Sequence, residues 1–231
     1  MTDFIRMSGM FDQRLLKTRA VVVGCGALGS AVALSLAKIG VPLELWDPDV
    51  VEPHNIPNQI LYGPGDVGSY KATCLKDRIE QLSGTPATAH VRRWDQDTVF
   101  SARHAYVFVC VDTMAARKEI LSTISFEPGA ILLDGRIGAR DWSTFLVDRS
   151  DLRAIRDYAS TLVDDDDAFV ERGACGNVLS IGATAGLAAS YLIWQFMDHV
   201  MGRQTVTRVD GSVNPFYMTA YTKESADGKS R

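Results

Sequence analysis

Val21-Val22-Val23-Gly24-Cys25-Gly26-Ala27-Leu28-Gly29-Ser30 opens a segment that runs through apolar residues to Gly40 and then reads Pro42-Leu43-Glu44-Leu45-Trp46-Asp47, and this segment decides the fold. The valines predict a buried strand, the glycines a tight turn, the apolar run a helix, and the residues before Asp47 a second strand closed by an acid. These are the parts of a nucleotide-binding βαβ unit. Gly24 allows the turn, Gly26 lets a phosphate approach the backbone, and Gly29 lets helix and strand pack closely. A helix beginning near Ala27 points its free N–H groups and positive dipole end at those phosphates. Asp47 follows the glycines by roughly twenty residues, where a carboxylate accepts hydrogen bonds from ribose hydroxyls. The glycine pattern by itself recurs by chance; a glycine-rich turn that binds nothing is the alternative, and the ordered strand, turn, helix, strand and acid weigh against it.

A chain of 231 residues suits one domain with a sizeable core. With 46% hydrophobic and 23% charged residues it has a soluble globular composition, so no membrane partner is expected. A formal charge of −4 supplies no global basic field, which argues against a nucleic-acid partner. Cys25, Cys74, Cys110 and Cys175 are scattered without a C-x-x-C pair. Neither structural zinc nor a disulfide framework is expected, which suits a cytoplasmic location. Residues 1–8 have no long apolar core and read as no signal peptide. The apolar run 178–200 contains Gln195, Asp198 and His199 and reads as a buried helix rather than a membrane span.

Residues 9–17 read as a short helix leading into the first strand at 19–23. After Asp47, prolines at 48, 53, 57 and 64 exclude regular helix and central strand, and a loop this long within an α/β domain points to function. Ser69 reads as the cap of a helix over 69–82, with Ala72, Leu75 and Ile79 at helical spacing. Strands follow at 87–92 and 105–111, the latter continuously apolar and so buried on both faces. A helix to residue 124 and a fifth strand at 130–133, closed by Asp134 and Gly135, complete a Rossmann-like, doubly wound, mainly parallel α/β sheet. The pattern then changes to an extended antiparallel strand over 136–147, a polar and partly helical stretch over 151–162, and a long small-residue helix over 174–201. Two antiparallel strands within 204–221 are joined at Asp210-Gly211, a hairpin signal. The expected organisation is one domain over 1–222: an N-terminal helical segment (1–18), a Rossmann-like half (19–135), and antiparallel strands with the long helix (136–222), followed by a disordered tail over 223–231.

The loop after Asp47 sharpens the functional reading. Asp47-Pro48-Asp49-Val50-Val51-Glu52-Pro53-His54-Asn55, then Gln59, then Asp66-Val67-Gly68-Ser69-Tyr70-Lys71-Ala72, then Val111-Asp112, resemble in order and spacing the ThiF/MoeB/HesA superfamily of ubiquitin-activating-enzyme-like adenylyltransferases. The likeness runs from Val21 to Asp112, and the helix from Cys175 and the closing hairpin extend it over most of the chain. It implies ATP and Mg2+ as cofactors. It also implies attack on the α-phosphate of ATP by the C-terminal glycine carboxylate of a small ubiquitin-like or sulfur-carrier protein, giving an acyl-adenylate and pyrophosphate. Lys71 then stands at the family's phosphate-binding lysine, where positive charge lets two anions approach. Asp112 stands at its metal-ligand aspartate, Asp47 at its ribose-binding acid and Asn55 at the asparagine that contacts the nucleotide, with Asp49, Asn58 and Gln59 in the same cofactor-binding loop.

One position departs from the family's pattern. Where relatives read Ser-Asn-Leu-Asn-Arg-Gln, this chain has His54-Asn55-Ile56-Pro57-Asn58-Gln59, so the arginine that clamps the triphosphate is replaced by an uncharged residue. The loss amounts to about 1.5–3 kcal/mol. Arg6 resembles the N-terminal arginine that some relatives insert into a partner subunit's site, which implies a homodimer; the other reading is a solvated terminal arginine. Cys175 lies near where some relatives form a thioester or acyl-disulfide, against the reading of a structural thiol. Asp134 and Arg136 either contact a substrate tail or pair locally, and His54 either touches ligand or is a surface histidine. The four aspartates 164–167 read as a solvated loop rather than a cation site. Two other functions use the same architecture: an NAD-dependent oxidoreductase, which leaves residues 49–71 unexplained, and a non-catalytic binding module, which the neutral Asn58 permits.

Overall fold

A computed structural model describes residues 14–95, 97, 104–124, 129–164 and 180–222. Parallel strands β1 (Arg19–Val23), β2 (Leu43–Trp46), β3 (Ala87–His90), β4 (Ala105–Val109) and β5 (Ile131–Ile137) form the first part of the sheet. Antiparallel strands β6 (Asp141–Asp148), β7 (Val206–Val213) and β8 (Phe216–Thr222) continue it. The spatial order is β3-β2-β1-β4-β5-β6-β7-β8. The chain therefore turns back between β1 and β4, and in such sheets ligands bind in the crevice outside the carboxyl ends of the strands at that point.

Helices α1 (Ala27–Lys38), α2 (Lys71–Ser83) and α5 (Gly182–Val200) cover one face, and α3 (Met114–Ile124) and α4 (Leu152–Ala159) the other. Strand β1 shows why both faces are covered: Val22 packs with Val32, Leu36, Leu75 and Phe196, while Val21 and Val23 pack with Ile120, Ile124 and Tyr158. A strand apolar on alternate sides is stable only between two layers. Helices α1 and α5 pack against one another, and small residues of both, Ala31, Ala188 and Ala189, lie in their common core. Each fully buried leucine of that core, such as Leu36 or Leu192, contributes roughly 1.5–3 kcal/mol. Among the described residues, no helix is long and apolar enough to cross a membrane.

Strands β3 and β4 each end two residues before the sequence expectation, at His90 and Val109, and three larger differences have visible causes. Helix α2 begins at Lys71 rather than Ser69, because the Lys71 N–H is already taken by the Asp49 carbonyl at 2.9 Å and Tyr70 occupies the cap without a side-chain hydrogen bond. The strand expected over 136–147 is two strands: β5 continues through Asp134-Gly135-Arg136, and β6 starts only at Asp141. Gly135 lets β5 run on beneath α1 and α5, since a Cβ there would fall 2.5 Å from Leu28 Cδ2 and 2.8 Å from Leu192 Cδ1. Asp210-Gly211 is no turn; it lies inside β7, opposite Ser143 and Trp142, and the chain reverses at Asn214-Pro215, a cis peptide. Gly211 is there for the indole of Trp142, which a Cβ would approach to 2.2 Å. Of the short helix expected over 9–17, only the 3-10 turn Leu15–Lys17 is described, the long helix expected over 174–201 is described from Gly182, and the tail over 223–231 lies outside the described residues.

Candidate functional site

The glycine turn leaves β1 with Gly24 at φ +92°, its N–H donated to the Trp46 carbonyl at 2.8 Å. A Cβ on Gly24 would stand 2.6 Å from the Cys110 carbonyl oxygen, and one on Gly29 would stand 1.8 Å from the Gly24 carbonyl oxygen. Close packing inside the protein therefore fixes both. Gly26 is different. Its φ is −76°, and an added Cβ would meet nothing nearer than Gln59 Nε2 at 3.8 Å. It caps α1, a twelve-residue helix, without a side-chain hydrogen bond. The first N–H groups of a helix have no intrahelical partner and carry the positive end of the helix dipole, the geometry that receives an anion.

Asp47 closes β2 and is buried. Its Oδ2 accepts the Cys25 N–H at 2.7 Å and its Oδ1 the Asp49 N–H at 2.8 Å, which ties the glycine turn to the loop after β2. Burial pushes the Asp47 carboxyl above its ordinary range, and the two N–H donors oppose that shift. Tyr62, also buried, donates its hydroxyl to the Cys25 carbonyl at 2.7 Å and lies 3.2 Å from the Lys71 carbonyl, joining the turn to α2. The Lys71 side chain is 10% exposed and its Nζ lies 3.1 Å from Asp49 Oδ2, on a side chain that is 65% exposed. A held ammonium beside a solvent-facing carboxylate is placed to exchange that carboxylate for a phosphate oxygen.

The rest of the loop is supported from within. Asn55 is buried and its Oδ1 accepts the Glu52 N–H at 2.9 Å, shaping the 3-10 turn Pro53–Asn55. Gln59, 8% exposed, lays its carboxamide nitrogen over Gly26, and its Oε1 is buried without a hydrogen-bond partner. Asn58 turns towards the start of α5: its Nδ2 donates to Ser180 Oγ at 2.6 Å, and its carbonyl sits where a Cβ on Gly182 would be 2.8 Å away. His54 is exposed and lies 3.6 Å from Glu52.

Asp112 is exposed, just beyond the backbone that packs on Gly24. The preceding carbonyl, of Val111, accepts from Nη2 of the buried Arg117 at 2.6 Å. Arg117 Nε donates to Asp134 Oδ1 at 3.0 Å, and Arg136 Nε donates to Asp134 Oδ2 at 2.7 Å. Among the described residues no group of three or more His, Cys, Asp or Glu side chains stands ready to hold a metal ion. Magnesium bridging nucleotide phosphates takes one or two protein carboxylates, the remaining ligands being phosphate and water. A single exposed carboxylate at Asp112 fits that role, and it would not form a resident metal centre by itself.

The structure thus gathers Gly24, Gly26, Gly29, Asp47, Asp49, Asn55, Gln59, Lys71 and Asp112 around the carboxyl ends of β1, β2 and β4. Arg6 and Cys175 lie outside the described residues, as do three of the four aspartates 164–167; the fourth, Asp164, meets Lys118 Nζ at 2.5 Å. Sequence reasoning passed over Tyr62 and Arg117. Tyr62 carried no signal beyond its place in the proline-rich loop; Arg117 follows Asp112 by five positions, a spacing that hints at a shared site only once the fold is known. Two clefts lie elsewhere, one of about 170 Å3 between α5 and β7–β8 beside Trp194 and Met218, the other of about 450 Å3 beside His199 and Arg203. Neither is lined by the glycine turn, Lys71 or Asp112. The candidate site is identified by its backbone donors and charges rather than by enclosure.

A model of the ThiF family matches residues 2–224. The sulfur carrier protein ThiS adenylyltransferase of Escherichia coli (strain K12) is 35% identical over 122 residues, covering 51% of this chain and 48% of that protein. The molybdopterin-synthase adenylyltransferase of Salmonella typhimurium (strain LT2) is 33% identical over 116 residues, covering 47% and 45%. The aligned stretch spans about half the length of these relatives. The crystal structure of Escherichia coli MccB with ATP superposes with a TM-score of 0.68 at 14% identity, over 93% of this chain and 66% of that one, which establishes a shared fold.

Proposed function

Because the chain belongs to the ThiF family, we propose that it is an ATP-dependent adenylyltransferase acting on the C-terminal glycine carboxylate of a small ubiquitin-like or sulfur-carrier protein. The observation that carries this reading is that a Cβ on Gly26, at the N-terminus of α1, would meet nothing nearer than Gln59 Nε2 at 3.8 Å, at the same edge of the sheet where the chain after β2 brings the Lys71 ammonium to Asp49 and the chain after β4 brings Asp112. The names of two relatives, adenylyltransferases for ThiS and for molybdopterin synthase, support the carrier class. A carboxylate oxygen of the carrier attacks the α-phosphorus of ATP, and the bond from that phosphorus to the bridging oxygen breaks. Pyrophosphate leaves with the electron pair and the acyl-adenylate remains. The α1 amides and Lys71 hold phosphate charge so that the second anion can approach, while Asp47 receives the ribose and Gln59 borders the phosphates. Asp112 would hold Mg2+, which would supply countercharge for the phosphates.

Asn58 leaves the triphosphate one cation short, a deficit of about 1.5–3 kcal/mol. Arg6 of a second copy is the proposed replacement. The exposed side chains of Trp194, Phe216 and Met218, on the α5 side of β8, give the protein an apolar surface suited to such association. The same neutral residue favours a second reading, a module that binds ATP without turnover. Equilibrium titration with ATP and Mg2+ in parallel with NAD+ tests the nucleotide: saturable ATP binding without NAD+ binding is expected, and tighter NAD+ than ATP binding would overturn the proposal in favour of a dehydrogenase.

A further inference from the structure

We infer that Arg117, backed by the Asp134–Arg136 ion pair, is a positioning residue that sets the Val111-Asp112 turn for magnesium; the inference rests on the adenylyltransferase reading above. Arg117 lies in the first turn of α3 and is 4% exposed, although a charged helix side chain ordinarily faces water. Its guanidinium holds three groups at once: the Val111 carbonyl at 2.6 Å and the Gly135 carbonyl at 3.2 Å through Nη2, and Asp134 Oδ1 at 3.0 Å through Nε. The Val111 carbonyl belongs to the peptide that leads into Asp112, so this hydrogen bond fixes the plane from which the Asp112 Cα departs. The Asp112 side chain is exposed, and its direction is therefore set by that backbone rather than by surrounding packing.

Behind Arg117 the arrangement is locked twice. Asp134 is wholly buried and supplies the countercharge. Arg136 occupies the other carboxylate oxygen at 2.7 Å and gives its Nη1 and Nη2 to the Thr161 carbonyl and Oγ1 at 3.1 and 2.9 Å. Its guanidinium also lies 4.4 Å from the Phe145 ring centroid and 5.4 Å from that of Tyr158. One guanidinium already neutralises one carboxylate, so the second arginine adds orientation rather than neutrality. Buried ion pairs add little net stability because desolvation offsets their attraction, whereas their geometry is stringent. That stringency is delivered to the carbonyl next to the proposed metal ligand.

The test is ATP affinity measured by titration with and without Mg2+ in wild-type protein, Arg117→Met and Arg117→Lys, with urea denaturation as the control for folding. Arg117→Met leaves Asp134 paired with Arg136 and is expected to keep wild-type affinity for metal-free ATP while the Mg2+ concentration for half-maximal effect rises roughly tenfold, as for loss of an outer-sphere partner. General damage to the fold would weaken both affinities together. Arg117→Lys keeps the charge beside Asp134 but not the fork that reaches Val111, so it should shift the magnesium requirement in the same direction by less, and it serves if the methionine variant does not fold. Unchanged magnesium dependence in a folded variant, with wild-type protein binding ATP in a magnesium-dependent way, overturns this inference alone. A wild-type protein that binds no ATP under either condition overturns the adenylyltransferase reading and this inference with it.

Discussion

Replacing Gly26 with alanine separates ligand from packing more cleanly than any other single change. The position has φ −76° and ψ −150°, outside the left-handed range, and an added methyl group would meet only Gln59 Nε2 at 3.8 Å. Folding stability should stay within about 1 kcal/mol of wild type, because the restricted unfolded chain offsets what the ψ of −150° costs alanine. A phosphate seated on the α1 N–H groups loses that approach once a methyl carbon projects into the space. Forfeiting one charge-assisted hydrogen bond costs about 1.5–3 kcal/mol, and at roughly 1.4 kcal/mol per decade ATP should bind about 10- to 150-fold more weakly. Gly29→Ala is the contrasting variant: its Cβ would lie 1.8 Å from the Gly24 carbonyl oxygen, and a loss of about 3 kcal/mol in stability is expected from so tight a contact. Urea denaturation gives the stabilities and titration with a fluorescent ATP analogue the affinities. A Gly26→Ala protein that binds ATP as tightly as wild type would refute the placement of phosphates above this residue.

Three further outcomes follow from the same geometry. Lys71→Met should weaken ATP binding by about 10- to 150-fold through loss of an ammonium–phosphate contact, and an unchanged dissociation constant in the same titration contradicts that role. Burial raises the Asp47 carboxyl from its ordinary value of 3.8, so the folded state favours the protonated form; its linked stabilisation is greatest below pH 3.8 and is lost as pH rises through the elevated folded value. Urea denaturation across that interval should find the stability of wild type relative to Asp47→Asn falling as pH rises, and a difference that grows instead would contradict the direction of the shift. Gly211→Ala, whose Cβ would press on the Trp142 ring at 2.2 Å, should lose about 1–3 kcal/mol by urea denaturation, whereas a neutral effect is incompatible with the indole lying over this strand.

The βαβ unit was legible because its signals are local: three valines, two glycines fixed by close approach, and an acid at the end of the next strand. The closing hairpin was misplaced because Asp210-Gly211 is a turn signal only if nothing crosses above it. The reason for that glycine, Trp142, lies on a neighbouring strand. The extent of β5 was hidden for a similar reason, since Gly135 answers to Leu28 on one helix and Leu192 on another. In the candidate site, Asn58 was visible as a missing charge, but its engagement with Ser180 spans 122 positions and no local pattern encodes it. Arg117 reads as an ordinary helix-surface arginine until the sheet brings Asp134 beneath it. Residues whose partners are close in sequence were readable, and residues whose partners arrive through the fold were not.

The central claim is that this crevice presents the α-phosphate of ATP to a carrier's terminal carboxylate. Isotope exchange between pyrophosphate and ATP, run with small carrier proteins ending in glycine, tests it most directly. Label should enter ATP only when Mg2+ and a carrier with a free C-terminal carboxylate are both present, and amidating that carboxylate should abolish the exchange. Exchange that survives amidation, or ATP that binds normally yet never exchanges across a panel of glycine-terminated carriers, would contradict the account.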